Sequence, residues 1–234
     1  MSKRKNSAVP PFKPIKSQPN LEPLVSVLNL KSKTYIDESF MSESRWTEQE
    51  EKAYVLNLLR GLCITPFIIA DAESCLQYCK LIGDEQSIKY FNDVIGNEKK
   101  EKITCDSNNR QTTCHKLKNN MIPFPKGTYT LNTNSGPHVL NLSEDTFYKD
   151  LSDTSKAYVD AIPILVITIT EATRRNLAEV FDAVNRGVTQ NAQELRQSWF
   201  SNFAQPVRNL ARNFHNSFIG SGLATQKEVN LSLI

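Results

Sequence analysis

The run from Ala161 to Ile169 constrains the fold more than any other segment of the chain. Its core, Pro163-Ile164-Leu165-Val166-Ile167-Thr168-Ile169, is nearly all apolar and β-branched, with no polar alternation. That texture marks a strand buried on both faces. Such a strand belongs inside a sheet, and the helical patterns around it make the fold class α/β, in the α+β sense. The same run is the longest apolar stretch, and it is far too short to cross a membrane.

Helix and strand signals punctuate the rest. Thr47-Glu48-Gln49-Glu50 forms a capping box, with Tyr54, Val55, Leu58 and Leu59 following at helical spacing and Gly61 placed to stop the helix. Ile64 to Ile69 reads as a strand beginning near Pro66. Ala72 to Lys80 and Glu85 to Val94 read as helices, Ile103 to Cys105 as a strand, and Asn109 to Lys118 as a helix. Residues 119–150, rich in Asn, Thr, Pro and Gly, read as a hairpin or irregular insertion. Thr170 is placed to cap a helix from Glu171 to Asn185, and Asn191-Ala192-Gln193-Glu194 to open another reaching Phe214. The expected division is a basic arm at 1–34, an α/β domain at 35–190 and a helical extension at 191–234 that stops without a closing element, as a truncated one would.

Charge is unevenly placed. Lys3, Arg4, Lys5, Lys13 and Lys16 stand in the first 20 residues with no acid, leaving 23 basic against 25 acidic side chains in the rest. With Pro10, Pro11, Pro14 and Pro19 this stretch reads as an extended, unpacked arm. Lys3, Arg4 and Lys5 are its candidate DNA-binding residues, and a solvated leader without a specific partner is the alternative. Arg174, Arg175, Arg186, Arg196, Arg208 and Arg212 offer a second basic surface, diluted by Glu171, Glu179, Asp182 and Glu194. A solvated face is the simpler account of these. Five cysteines at irregular spacing and the lack of an apolar leader point to reduced thiols in a cytoplasmic protein.

The segment Ile103-Thr104-Cys105-Asp106-Ser107-Asn108-Asn109-Arg110-Gln111-Thr112-Thr113 carries the chemistry. A short apolar run ends in an acid, a polar turn follows, and an arginine opens a helix. An acid at a strand end can hold a metal or a water, and the turn presents backbone N–H groups to an anion. An arginine there supplies a planar fork for phosphate oxygens. The plainer alternative is an Asp that caps the helix and an Arg that pairs with it. His115 is a general-base candidate whose ordinary role would be structural. No Gly-rich phosphate loop or dinucleotide fingerprint is present in the sequence.

Several segments, taken in order, resemble the N-terminal domain of GmrSD-type modification-dependent restriction enzymes, within the ParB/sulfiredoxin-like superfamily. Arg45-Trp46 precedes a helix, and Gly61 to Ile69 supplies a Gly and a Pro-containing strand. Asp106-Ser107-Asn108-Asn109-Arg110 stands where that family has Asp-Gly-Gln-Gln-Arg. Phe181-Asp182-Ala183-Val184-Asn185-Arg186-Gly187 and Glu194-Leu195-Arg196 match its later turn and helix. Ser107 replaces the glycine and both Gln positions are Asn, whereas the two charged members are intact.

The resemblance implies a ParB-like mixed-sheet core and a nucleotide-dependent, DNA-acting protein of restriction or phage type. Asp106 and Arg110 become the catalytic candidates, with Asp106 also on Mg²⁺. Arg45, Ser107, Asn108, Asn109, Thr112 and Thr113 become the phosphate-binding candidates. DNA and a nucleoside triphosphate are the implied partners, with any HNH nuclease supplied by a separate domain or subunit. A non-catalytic module that senses nucleotide or DNA is the alternative.

Overall fold

A computed structural model describes residues 15–41, 45–63 and 65–185. Its frame is a mixed five-stranded sheet of order β1-β7-β3-β4-β2. The strands are β1 (Lys16–Pro23), β2 (Thr34–Tyr35), β3 (Phe67–Asp71), β4 (Lys102–Asp106) and β7 (Pro163–Glu171). β7 runs parallel to β3 and antiparallel to β1, and β4 runs antiparallel to β3 and parallel to β2. The α+β class read from the sequence is therefore observed.

Side-chain alternation divides the core in two. Phe67, Ile69, Ile164 and Val166 face a layer made by α1 (Leu24–Leu28), α2 (Leu30–Lys33), α3 (Glu48–Leu59), α6 (Asn108–Lys118) and α7 (Asp153–Asp160), together with a hairpin. Ile68, Ala70, Ile103, Cys105 and Ile169 face the other layer, made by α4 (Ala72–Ile82), α5 (Glu85–Gly96) and α8 (Arg174–Asn185). Apolar burial on both faces of the central strands is the main cohesive term, worth about 1.5–3 kcal/mol for each large side chain removed from water. The α3 capping box forms as expected. Glu50 N donates to Thr47 Oγ1 at 3.3 Å, and Thr47 N donates to Glu50 Oε2 at 2.7 Å.

Segment 119–150 resolves into the hairpin β5 (Gly127–Thr133) and β6 (Gly136–Leu142). Tyr129, Leu131, Leu140 and Leu142 alternate into the first core, so the hairpin completes that layer. Gly127 is fixed by space as well as conformation: a Cβ there would lie 2.8 Å from Tyr129 Oη.

Three expectations are corrected. The stretch read as unpacked over the first 20 residues is packed from Lys16, which begins the pairing of Lys16–Pro23 along β7, and the rest of the arm expected at 1–34 buries Leu24, Val27, Leu28 and Leu30. β1 is the sheet's edge, where Pro19 can be tolerated because an edge strand need not donate on its open side. The helix placed at Glu171 begins at Arg174, since β7 continues to Glu171 and Thr173 is the residue that caps. Asn176 N donates to Thr173 Oγ1 at 3.2 Å, and Thr173 N to Asn176 Oδ1 at 3.0 Å. Arg174 also leaves the solvated face assigned to it. Its Nε and Nη2 donate to Asp37 Oδ2 at 3.1 and 3.0 Å, and its guanidinium lies over the Tyr90 ring. Lys3, Arg4 and Lys5, the Asn191 capping box and the extension at 191–234 lie outside the described residues.

Among the described residues no helix is long and apolar enough to cross a membrane.

Candidate functional site

β4 ends at Asp106, and the pairing with β3 slips there. Ile69 lies opposite Thr104 while Ile68 lies opposite Asp106, leaving Cys105 as an extra residue. Bulges of this kind terminate pairing and re-aim the chain. Ser107 then takes φ +83° and ψ 16°, a left-handed conformation, and α6 starts at Asn108. The position at which the resembled signature has glycine is thus one that needs positive φ.

α6 opens without a side-chain cap and with no acid in its first turn. The leading amides of a helix have no intrahelical acceptor, and the helix dipole makes that end attractive to anions. Gln111 N donates to Ser107 O at 2.8 Å and closes the first turn.

The structure brings Asp106 and Arg110 together. Arg110 Nη2 donates to Asp106 Oδ2 at 2.7 Å, with side chains 10% and 19% exposed. Arg110 Nη1 donates to Thr65 O at 2.6 Å, and its guanidinium stands 5.2 Å from the centroid of the Phe67 ring. Arg110 therefore ties α6 to the end of β4 and to the approach to β3. Of the two plainer roles weighed for the pair, the ion pair is present, whereas the N-cap position falls to Ser107.

Arg45 joins the turn through its backbone. Its N–H donates to Asn109 Oδ1 at 2.8 Å, and the residue is exposed. Thr112 and Thr113 do not open toward the same end. Thr112 Oγ1 accepts from Lys31 Nζ at 2.6 Å, and the fully buried Thr113 donates to Asn109 O at 3.0 Å. His115 lies in the last turn of α6, at the opposite end of the helix from Ser107.

Gln111 is the residue that sequence reasoning missed. It is fully buried, and its Oε1 accepts from Thr34 Oγ1 at 3.0 Å and from Thr104 Oγ1 at 3.2 Å. Its Nε2 donates to Ser107 Oγ at 3.3 Å, and Ser107 Oγ donates to Asp106 O. A glutamine in a helix with a weak apolar stripe gives no local sign of this; only the two threonines from separate strands reveal it.

Magnitudes decide what substitution at Ser107 should do. Glycine removes a left-handed penalty of about 1–2 kcal/mol. It also gives up the bond from Gln111, worth about 1 kcal/mol, and adds unfolded-state entropy of similar size. Ser107→Gly should therefore change stability by less than about 1 kcal/mol. Ser107→Val, β-branched and poorly suited to positive φ, should cost about 2 kcal/mol. Chemical denaturation of the two variants checks the ordering, and an equal effect of both would contradict the assigned backbone strain.

Asp106, the expected Mg²⁺ ligand, gives one carboxylate oxygen to Arg110. Among the described residues no group of three His, Cys, Asp or Glu side chains could share an ion. Mg²⁺ accompanies a nucleoside triphosphate through the phosphate oxygens whether or not a protein carboxylate joins it.

The thiols offer no activated nucleophile. Burial pushes Cys63 and Cys79 up to about 11 and Cys75 and Cys114 up to about 12, and raises Cys105 further. Neutral thiols are the weak form for attack.

Comparison of the chain with protein-family models, with curated proteins and with solved structures finds no match.

Proposed function

We propose that this chain is a phosphate-recognising module of the ParB/sulfiredoxin-like type, acting on a nucleoside triphosphate or on DNA in a restriction or phage context. The observation that carries the proposal is the left-handed Ser107 at the mouth of an uncapped α6. It supplies, with a serine, the backbone conformation that the glycine of the resembled signature would adopt freely. The acid at the strand end and the arginine in the first turn of the helix complete the likeness.

In this reading the first turn of α6, at Asn109 and Arg110, receives a phosphate, and the exposed Arg45 adds charge from the adjoining segment. Arg110 and Asp106 hold the turn's shape. The roles of Lys3, Arg4 and Lys5 would be salt-sensitive DNA contacts, and a separate nuclease domain or subunit would do any cutting.

Between hydrolysis and sensing, the occupancy of Arg110 favours sensing. Two of its five N–H donors serve Asp106 and Thr65 O and hold a side chain only 10% exposed, so swinging the guanidinium onto a developing phosphate charge would strain or break these bonds. The test is titration of a fluorescent ATP analogue and of a short DNA duplex, with phosphate release measured under Mg²⁺. Binding without turnover, weakened severalfold in Arg45→Ala, is the expected result. Rapid turnover would make the chain a hydrolase instead, and no binding of either probe would leave only a resemblance of fold.

A further inference from the structure

We propose that Gln111 is a positioning residue that holds the α6 turn in its ligand-ready, left-handed form; its importance for binding rests on the function proposed above. The conformation at Ser107 is intrinsically unfavourable for a residue with a side chain. Something in the surrounding structure must therefore over-determine it.

Two contacts do so from the same residue. The Gln111 backbone N–H donates to Ser107 O at 2.8 Å, and its Nε2 donates to Ser107 Oγ at 3.3 Å. The other end of the amide is anchored twice, by Thr34 Oγ1 on β2 and Thr104 Oγ1 on β4. An amide oxygen has two lone pairs, and both are used. Gln111 thereby fixes Ser107 relative to two strands of the sheet, not merely to its own helix. A buried amide is costly unless its bonds are made, and here they are: Gln111 is fully buried, accepts from the buried Thr34 and Thr104 hydroxyls and donates to Ser107 Oγ. The polar choice is explained by what it holds in place.

The consequence is a specific coupling. Loss of Gln111 should matter where residue 107 is a serine that must be held, and matter little where it is a glycine that enters the same conformation unaided. Gln111→Met, Ser107→Gly and the double variant form a cycle that measures this.

The primary readout needs no ligand. Backbone chemical shifts of residue 107 report its φ, and amide exchange at residues 111–113 reports closure of the first turns. In Gln111→Met the shifts should leave left-handed values, and exchange at 111–113 should rise about tenfold beyond any global change. In the double variant, exchange should return to within about threefold of Ser107→Gly. Thr34→Val, which removes one anchor, should give a smaller loosening at the same amides and serves if Gln111→Met does not fold. Left-handed shifts retained in Gln111→Met, or no rescue by Ser107→Gly, would overturn the proposal.

Affinity for the fluorescent ATP analogue is measured on the same proteins. A drop of about tenfold in Gln111→Met, restored in the double variant, is the expected result. Absence of binding by the parent protein would overturn the phosphate-site reading while the exchange data still decide the role of Gln111.

Discussion

Arg110→Ala should lower the stability of the fold by about 3 kcal/mol, the low end of what is lost when one partner of a buried ion pair is removed. The low end applies because Asp106 keeps some contact with solvent, its side chain being 19% exposed. Three losses combine. The Asp106 carboxylate loses its counter-charge, Thr65 O loses its donor at 2.6 Å, and the guanidinium leaves the Phe67 ring. In a domain of this size each 1 kcal/mol moves the melting temperature by about 2–4 °C, so a fall of roughly 6–12 °C is expected. Arg110→Lys keeps the charge but not the planar fork that serves two acceptors, and should recover less than half of the loss. A melting temperature within about 2 °C of the parent for Arg110→Ala would mean that the pair is not holding the turn.

Asp37→Ala should be comparably damaging, at about 3–5 kcal/mol, through a different part of the molecule. Asp37 is almost fully buried and accepts from Arg174 Nε and Nη2, while its Oδ1 accepts from Ser39 N at 2.9 Å. Arg174 Nη2 also donates to Ser39 Oγ, and Arg174 N donates to Ser87 Oγ, each at 3.0 Å. The pair thus joins the stretch around residue 37 to the start of α8 and to α5. Removing the carboxylate deprives the guanidinium of the acceptor for its Nε and of one acceptor for its Nη2 while it stays over the Tyr90 ring. Replacing both partners by apolar residues of similar size, as in Asp37→Leu with Arg174→Met, should cost clearly less than Asp37→Ala alone. Denaturant titrations of the single and double variants measure this. If the double variant were the less stable, the stabilisation would lie in packing around the side chains and not in the pair.

These two ion pairs also show where sequence reading works. Asp106 and Arg110 lie one helical turn apart, so their pairing follows from local spacing, and it was among the readings of the turn. Asp37 and Arg174 are 137 positions apart, and nothing near either residue announces the other. Arg174 therefore reads as one more surface arginine on a basic helix until the fold closes over it.

The same distinction separates the elements. The capping box at Thr47 and the unbroken apolar run of β7 are local, and both appear where expected. β1 was concealed by its prolines, which mark an edge as readily as an unpacked arm. α1 spans only five residues and α7 only eight, too few to display a helical period. At the candidate site, the charged residues were legible, whereas the left-handed conformation of Ser107 was not, since a serine there reads as the loss of a glycine. The Gln111 network was not, because one of its anchors, Thr34, is 77 residues away.

The most direct test of the phosphate-site account is to place a negative charge at the mouth of α6 without disturbing the fold. Asn109→Asp does this. The new carboxylate retains an acceptor for the Arg45 N–H, and an acid in the first turn favours the helix by about 0.3–1 kcal/mol. Binding of the fluorescent ATP analogue to the parent and to Asn109→Asp is measured beside their melting temperatures. The account predicts binding by the parent, at least about tenfold weaker binding by the variant, and a melting temperature unchanged or slightly raised. Equal binding by the two proteins would place the phosphate somewhere other than the first turn of α6, and would contradict the account.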